Sequence, residues 1–159
     1  MSRQDTNPEF EKTVRIQSAL MGLTLAFKNK YGDEALEISK ASNKQLGINI
    51  GKYFKKETGV TGSSLEDVER VLRAWQDPVI LGPKPKSKIE GKRLTMIRES
   101  PSQCPALQVA KQMNLPLEMV CNAVALPIFK GVIHAVNPNA KHMSVQITTS
   151  KCVDAIEIP

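Results

Sequence analysis

The sequence has 159 residues and a mass of 17.5 kDa, a size typical of one domain. Lys and Arg number 22 against 16 Asp and Glu, which gives a net charge of +6. With 41% hydrophobic residues, the composition excludes a disordered chain, and the sequence contains no run of about 18 apolar residues that would predict a membrane span. Three cysteines are too few for the disulfide framework of a small secreted protein, and no apolar signal region follows the first residues. We therefore expect a cytoplasmic protein with reduced thiols.

The first part of the sequence has the apolar periodicity of helices. The spacing predicts a first helix over Pro8–Tyr31 and a second over Asp33–Glu57, with Asp33 as the N-cap of the second. Gly47 and Gly51 lie inside the second helix, where each costs about 1 kcal/mol relative to alanine. Their spacing favours close helix packing or the approach of a ligand; a kink or a break is the alternative.

A third helix is predicted by Ser63 and Glu66, which have the spacing of a capping box, and it ends near Trp75. Glycine and prolines make residues 81–87 a loop, and the alternation that follows in residues 88–99 predicts one or two strands. Lysines and arginines are concentrated in residues 84–98. Because no aromatic residues are interleaved for base stacking, we interpret this stretch as a solvated loop and edge strand, which makes a nucleic-acid partner unlikely.

Two further helices and two strands are predicted in the last third. Pro105 has no N–H, so it fits the first turn of a helix over Ser102–Met113 with Ser102 as N-cap. The segment Leu117–Val136 is apolar on nearly all sides, which predicts a buried helix that Pro127 kinks or divides. Two alternating segments then predict antiparallel strands: Met143–Thr149 and Cys152–Ile158.

These elements predict an α+β fold, with N-terminal helices followed by a small antiparallel sheet packed on two further helices. We expect a single domain over residues 1–159, with a helical part in 1–80 and an α+β part in 86–159. Residues 101–159 hold only 4 basic and 3 acidic side chains, so most of the core is expected there. The same sparse charge leaves open a face that joins copies in a homo-oligomer.

The three cysteines are the main candidates for chemistry. Cys104 is predicted in the first turn of the fourth helix, where unpaired N–H groups and the helix dipole favour a thiolate that is nucleophilic at neutral pH. Cys121 lies on the buried fifth helix. Cys152 begins the last strand on the same face as Asp154, whose carboxylate needs a partner if it points inward. A small buried thiol without reactivity is the alternative for Cys104 and for Cys121.

Metal ligands and proton carriers are less clearly marked. No two cysteines have the C-x-x-C spacing of a structural zinc site, although three distant cysteines could converge on zinc or another soft metal. His134 is a candidate general base or metal ligand, with a capping or surface role as the alternative. Arg93, in the basic stretch, is a candidate for attracting a substrate carboxylate.

Short segments spread over most of the chain carry a family resemblance. They are Tyr31-Gly32-Asp33-Glu34-Ala35, Gly47 with Gly51, Cys104-Pro105, Asn114-Leu115-Pro116, Cys121, Asn137-Pro138 and Cys152. In order and spacing, from about residue 11 to residue 158, the chain resembles the 2-amino-thiazoline-4-carboxylate hydrolase family (L-2-amino-thiazoline-4-carboxylic acid hydrolase). A weaker similarity extends to the 4-vinyl-reductase-like ligand-binding domains.

The resemblance implies a hydrolase that opens a small cyclic amidine or amide at a non-peptide C–N bond. It assigns the essential thiol to Cys104, with Cys121 and Cys152 as neighbours in the substrate site. For this reaction Asp154 or His134 would carry protons, because the ring atom that leaves must take one up. The corresponding partner is a small-molecule substrate. No membrane partner is expected, and no cofactor is predicted apart from the zinc or other soft metal that the cysteines could bind.

A second function from a different class stays open. The chain would then be a non-enzymatic module that binds a small ligand or a soft metal through its three cysteines. Its pocket would be lined by the buried fifth helix and by three methionines: Met113, Met119 and Met143.

Overall fold

A computed structural model describes residues 7–99 and 104–159. The α+β fold predicted from the sequence is confirmed, since helices pack on a four-stranded antiparallel sheet. The elements, in chain order, are α1 (Pro8–Tyr31), α2 (Asp33–Glu57), α3 (Leu65–Gln76), a 3-10 turn (Asp77–Val79), β1 (Lys86–Glu90), β2 (Arg93–Glu99), α4 (Pro105–Met113), α5 (Leu117–Val120), a π-helical turn (Cys121–Ala125), α6 (Leu126–Val136), β3 (Lys141–Ile147) and β4 (Lys151–Glu157).

The sheet has the strand order β1-β2-β4-β3, with every neighbouring pair antiparallel. Its inner face is apolar at one end, where Leu94, Met96 and Ile156 are fully buried against α3 and α6. The edge strand β1 carries exposed lysines, and Lys86 and Lys88 each pair with a glutamate. The edge position predicted for the basic stretch is therefore confirmed for the lysines of β1, but it is wrong for Arg93 and Arg98, which lie on the inner strand β2.

Glycines bring α2 and α6 into contact backbone to backbone. A Cβ on Gly47 would lie 2.1 Å from the carbonyl oxygen of Ile128, and Gly51 is crowded by α6 in the same way. Gly131 of α6 makes the reciprocal contact with α2, because a Cβ added there would lie 2.1 Å from the carbonyl oxygen of Lys44. Of the alternatives for the glycine pair, close helix packing is confirmed, and α2 continues unbroken through both positions.

Pro127 divides the long helix through the π-helical turn that precedes it. A proline cannot donate to the carbonyl four residues earlier, which here belongs to Ala123. Asn43 of α2 supplies the missing donor, since its Nδ2 lies 2.9 Å from that oxygen and its side chain is 4% exposed. The N–H of Leu126 bonds instead to the carbonyl of Cys121, five residues earlier. The predicted division is thus confirmed, with a neighbouring helix satisfying the carbonyl that the proline leaves open.

The segment Leu117–Val136 is long and apolar enough to cross a membrane by length and composition. More than half of its most apolar stretch is buried inside the fold, and the core helix of a soluble protein passes the same test. In this fold the apolar side chains of the segment pack against α2 and the sheet.

Two predicted helix caps are wrong by one residue. The capping box of α3 is formed by Ser64 and Asp67, whose side chains bond to each other's backbone N–H, rather than by Ser63 and Glu66. Both pairs have the same spacing, so the pattern could not choose between them. Asp33 is the first residue of α2 rather than its N-cap, because the preceding glycine, at a φ of 79°, takes the cap position.

We expect Gly47→Ala to lower the free energy of unfolding by about 1–3 kcal/mol or more, because the new methyl group would collide with the backbone of α6. Gly22→Ala is the matched control, since a Cβ there meets nothing within 4 Å. That change should raise stability by about 0.5–1 kcal/mol. Urea unfolding of the two variants measures both values, and equal stabilities would contradict the backbone contact.

Candidate active site

All three cysteines line one internal cavity of about 100 Å³. Cys104 precedes α4, Cys121 lies on the π-helical turn and Cys152 lies on β4, so distant segments converge there. Asp154 is part of the same wall. An apolar cavity of about 150 Å³ takes up a molecule the size of benzene. This cavity is smaller, so it excludes a peptide or a nucleotide and encloses at most one small ring.

The polar end of the cavity is built by the register of the sheet. Arg98 of β2 is opposite Cys152 of β4, and Asp154 is opposite Met96, so these side chains lie on the inner face of the sheet. Asp154 is 2% exposed and the Arg98 side chain 14%. The guanidinium of Arg98 donates from Nη1 to the Asp154 carboxylate, which places a buried ion pair beside the thiols.

Asp154 also accepts hydrogen bonds from β3. The Nε2 of His142 lies 2.8 Å from its Oδ1, and the hydroxyl of Ser144 lies 3.3 Å from the same atom. Burial acts to raise the pKa of Asp154, but the hydrogen bond from His142 and the charge of Arg98 outweigh it and hold the pKa below the ordinary 3.8. The carboxylate is therefore ionised at neutral pH. The partner that an inward Asp154 needs is therefore present, since three side chains donate to it: Arg98, His142 and Ser144.

The thiols of Cys121 and Cys152 are held in the protonated form. Burial raises the pKa of Cys121 to about 12, and the neighbouring charges of Cys104, Cys152 and Asp154 act in the same direction. Burial also raises the pKa of Cys152, again with Cys104 adding to the effect. Since the thiolate is the nucleophile, neither cysteine is suited to attack a substrate at neutral pH.

Cys104 has a different environment, at the N-cap of α4. It is therefore one position before the first turn in which the sequence placed it, and the predicted N-cap Ser102 lies outside the described residues. Its side chain makes no capping hydrogen bond. The N–H groups of Ala106 and Leu107, in the first turn, have no acceptor within the helix. An anion formed beside Cys104 is thus close to N–H donors that the helix itself leaves free and to the positive end of the helix dipole.

Gln17 of α1 is a wall residue that sequence reasoning missed. Its side chain is 8% exposed, and within residues 7–99 and 104–159 no donor reaches its Oε1. A buried acceptor without a partner costs about 1–3 kcal/mol, so this oxygen favours a ligand or a water that donates an N–H or O–H. The signal was in the sequence, because Gln17 lies between Val14 and Met21 on the buried face of the helix.

Two predicted site residues lie outside the cavity. His134, in the last turn of α6, has its Nε2 3.1 Å from the carbonyl oxygen of Ala140, and so ties the following turn to the helix. Burial, and next the charge of Lys44, lower its pKa. Arg93 lies at the other end of β2 from Arg98, about 17 Å away along the strand, and pairs with Glu157 at 3.4 Å. The arginine that lines the cavity is Arg98 rather than Arg93.

The methionines expected in a ligand pocket are also elsewhere. Met119 and Met143 are exposed, and Met113 packs against apolar residues of α1, α4 and the π-helical turn, so none of the three lines the cavity. Across the described part of the chain, no group of three or more His, Cys, Asp and Glu side chains is arranged to hold a metal ion.

Comparison with known proteins gives no match, since neither a protein-family model nor a curated protein matches the sequence significantly.

We expect the free energy of unfolding to depend on Asp154 in acid. The unfolded carboxyl takes up its proton first, because the pKa is lower in the folded protein. The stabilisation is therefore fully present above about pH 3.8 and is lost as the pH falls through the folded pKa. Asp154→Asn should remove this part of the acid dependence. At neutral pH it should cost about 3–5 kcal/mol, since Arg98 stays buried without its partner.

Urea unfolding followed by the fluorescence of Trp75 measures these changes as a function of pH. The control is Glu90→Gln, which removes an exposed pair with Lys88 and should change stability by less than about 1 kcal/mol. Equal effects of the two substitutions would contradict the buried pairing of Asp154.

Alkylation should separate the three cysteines in the folded protein. A pKa of about 12 leaves roughly one Cys121 in ten thousand as thiolate at about pH 8, against roughly a quarter for an ordinary cysteine. We expect iodoacetamide to modify Cys121 in the folded protein on the order of a thousandfold more slowly than the same cysteine in the unfolded chain. Peptide mass mapping over time measures the rates, and unfolding in urea should make them equal. Rapid modification of Cys121 before unfolding would contradict the geometry.

Proposed function

We propose that the protein is a hydrolase that opens a small cyclic amidine or amide, of the thiazoline-carboxylate type, in the cavity lined by the three cysteines. The observation that carries this proposal is the position of Cys104. Cys104 lies at the N-cap of a helix and lines a cavity of about 100 Å³. The type of substrate is taken from the resemblance of segments such as Cys104-Pro105 to the thiazoline-carboxylate hydrolase family, which stays a prediction.

In this reaction the sulfur of Cys104 forms a bond to the amidine carbon, the C=N double bond becomes single, and the thiol proton goes to the ring nitrogen. The ring C–N bond then breaks and its electron pair stays on that nitrogen, which takes a second proton from the exocyclic amino group as that group forms a C=N bond to the same carbon. Water next attacks the same carbon, and the C–S bond breaks to restore the thiol. The N–H groups at the start of α4, which have no acceptor within the helix, would stabilise the negative charge that develops during attack.

The cavity also indicates the kind of substrate. Arg98 and Asp154 neutralise each other, so the site has little net charge and suits a neutral or zwitterionic molecule. The unpartnered Oε1 of Gln17 favours a substrate with an N–H donor, which an amidine has. Apolar side chains, among them Leu126 and Phe129, line the rest of the wall and fit a compact ring.

A second candidate is a module that binds such a ligand without turnover. The observation that favours it is the composition of the wall. No histidine of the described residues lines the cavity, so the base that usually activates a catalytic cysteine is not beside Cys104. Under this alternative, the ligand would stabilise the protein by about 2.7 kcal/mol at a hundredfold excess over its Kd and would be recovered unchanged.

We expect the reduced protein to open the ring of 2-amino-thiazoline-4-carboxylate, and Cys104→Ala to lower the rate by at least about a thousandfold. Loss of the substrate is followed by chromatography. Arg93→Gln is the control, because this side chain lies outside the cavity and should leave the rate unchanged. Thermal unfolding checks that Cys104→Ala is folded.

Three outcomes separate the candidates. Turnover retained by Cys104→Ala would end the nucleophile role. Thermal stabilisation by the compound without turnover in the wild-type protein would favour the binding module. Neither turnover nor stabilisation would remove this substrate class from both candidates.

A further inference from the structure

A second concave surface lies on the other side of Asp154 and His142, between α2 and α6. This groove has a volume of about 440 Å³ and shares Leu126 and Ser144 with the cysteine cavity. Its walls carry the lysines Lys40, Lys44 and Lys130. It is open to solvent and takes no part in the reaction proposed for the cavity.

The positive charge of the groove is not balanced by the protein. Lys40 pairs with Glu37 at 2.8 Å, but neither Lys44 nor Lys130 has a carboxylate within 4.0 Å in the part of the chain that the structure describes. The two lysines are on different helices, which the glycine contact holds together. Gly131, next to Lys130, packs on the backbone of Lys44 itself. Two unpaired cations are thus fixed on one concave surface.

Polar groups complete the groove beside these lysines. Asn122 lies on its wall and offers the N–H donors of its amide, whereas the hydroxyl of Ser144 and the Nε2–H of His142 already donate to Asp154. His142 is fixed by the bond from its Nε2 to Asp154, and its other ring nitrogen makes no hydrogen bond within residues 7–99 and 104–159. Two lysines without a carboxylate partner among the described residues, next to an amide donor, form a surface that suits a small oxyanion.

We propose that this groove binds a small oxyanion, the phosphate or carboxylate group of a metabolite, between Lys44 and Lys130. The site is separate from the cysteine cavity and does not depend on the hydrolase function. The charges of both lysines also act on His134, whose pKa they lower together with burial. An anion in the groove would reduce that effect, so His134 is a built-in reporter of occupancy.

The test is a titration of the folded protein with inorganic phosphate, followed by the NMR signals of the His134 and His142 ring protons. We expect saturable shifts and a rise in the pKa of His134, with chloride at equal ionic strength producing neither. Lys44→Gln with Lys130→Gln should weaken binding at least tenfold. Lys111→Gln, which removes an exposed lysine of α4 outside the groove, should leave binding unchanged.

A second titration with succinate distinguishes the source of the anion. Saturable binding of succinate alone, lost in the same double variant, assigns the site to carboxylates, and binding of phosphate alone assigns it to phosphate groups. Shifts that do not saturate with either anion would overturn the proposal. So would binding that is as strong in the folded double variant as in the wild type.

Discussion

The buried carboxylate of Asp154 is the constraint around which the second half of the molecule is arranged. A charge that is 2% exposed must be paired, and its partners come from two different strands, with Arg98 on β2 and His142 and Ser144 on β3. The ring of Phe129 lies 5.0 Å from the Arg98 guanidinium carbon and connects this network to α6. The pairing thus fixes the sheet, the helix and the polar end of the cavity relative to one another.

The helical half contributes through contacts that need small or polar residues. Gly47 and Gly131 let two backbones touch, and a larger side chain at either position would push α6 away from α2. Asn43 donates to the carbonyl that Pro127 leaves without a helical partner, so the same interface also stabilises the π-helical turn. That turn carries Cys121, and the cysteine cavity therefore depends on an interface on the other side of the helix.

Much of the fold was predictable from local patterns, whereas the site was predictable only in part. Periodicity gave α1 and α2 their bounds, and proline and glycine marked the loops. The cysteines were recognised by their chemistry, but their convergence depends on strand register, which no local pattern contains. Arg98 was missed because it was counted with a solvated basic stretch, although it alternates with Leu94 and Met96 on the buried face. His134 was preferred over His142 because an isolated sequence does not show which histidine faces Asp154.

Because Cys121 lies in the π-helical turn, the direction of its side chain depends on the number of residues in this turn as well as on the residue type. Each residue advances an α-helix by about 100°. Removing one residue from the segment 121–125 would restore a regular α-helix and rotate everything before it by roughly that angle relative to α6. Cys121 would then turn away from the cavity even though no cavity residue had been substituted. Among related sequences, a one-residue gap at this place would mark proteins that keep the fold but have only two cysteines in the cavity.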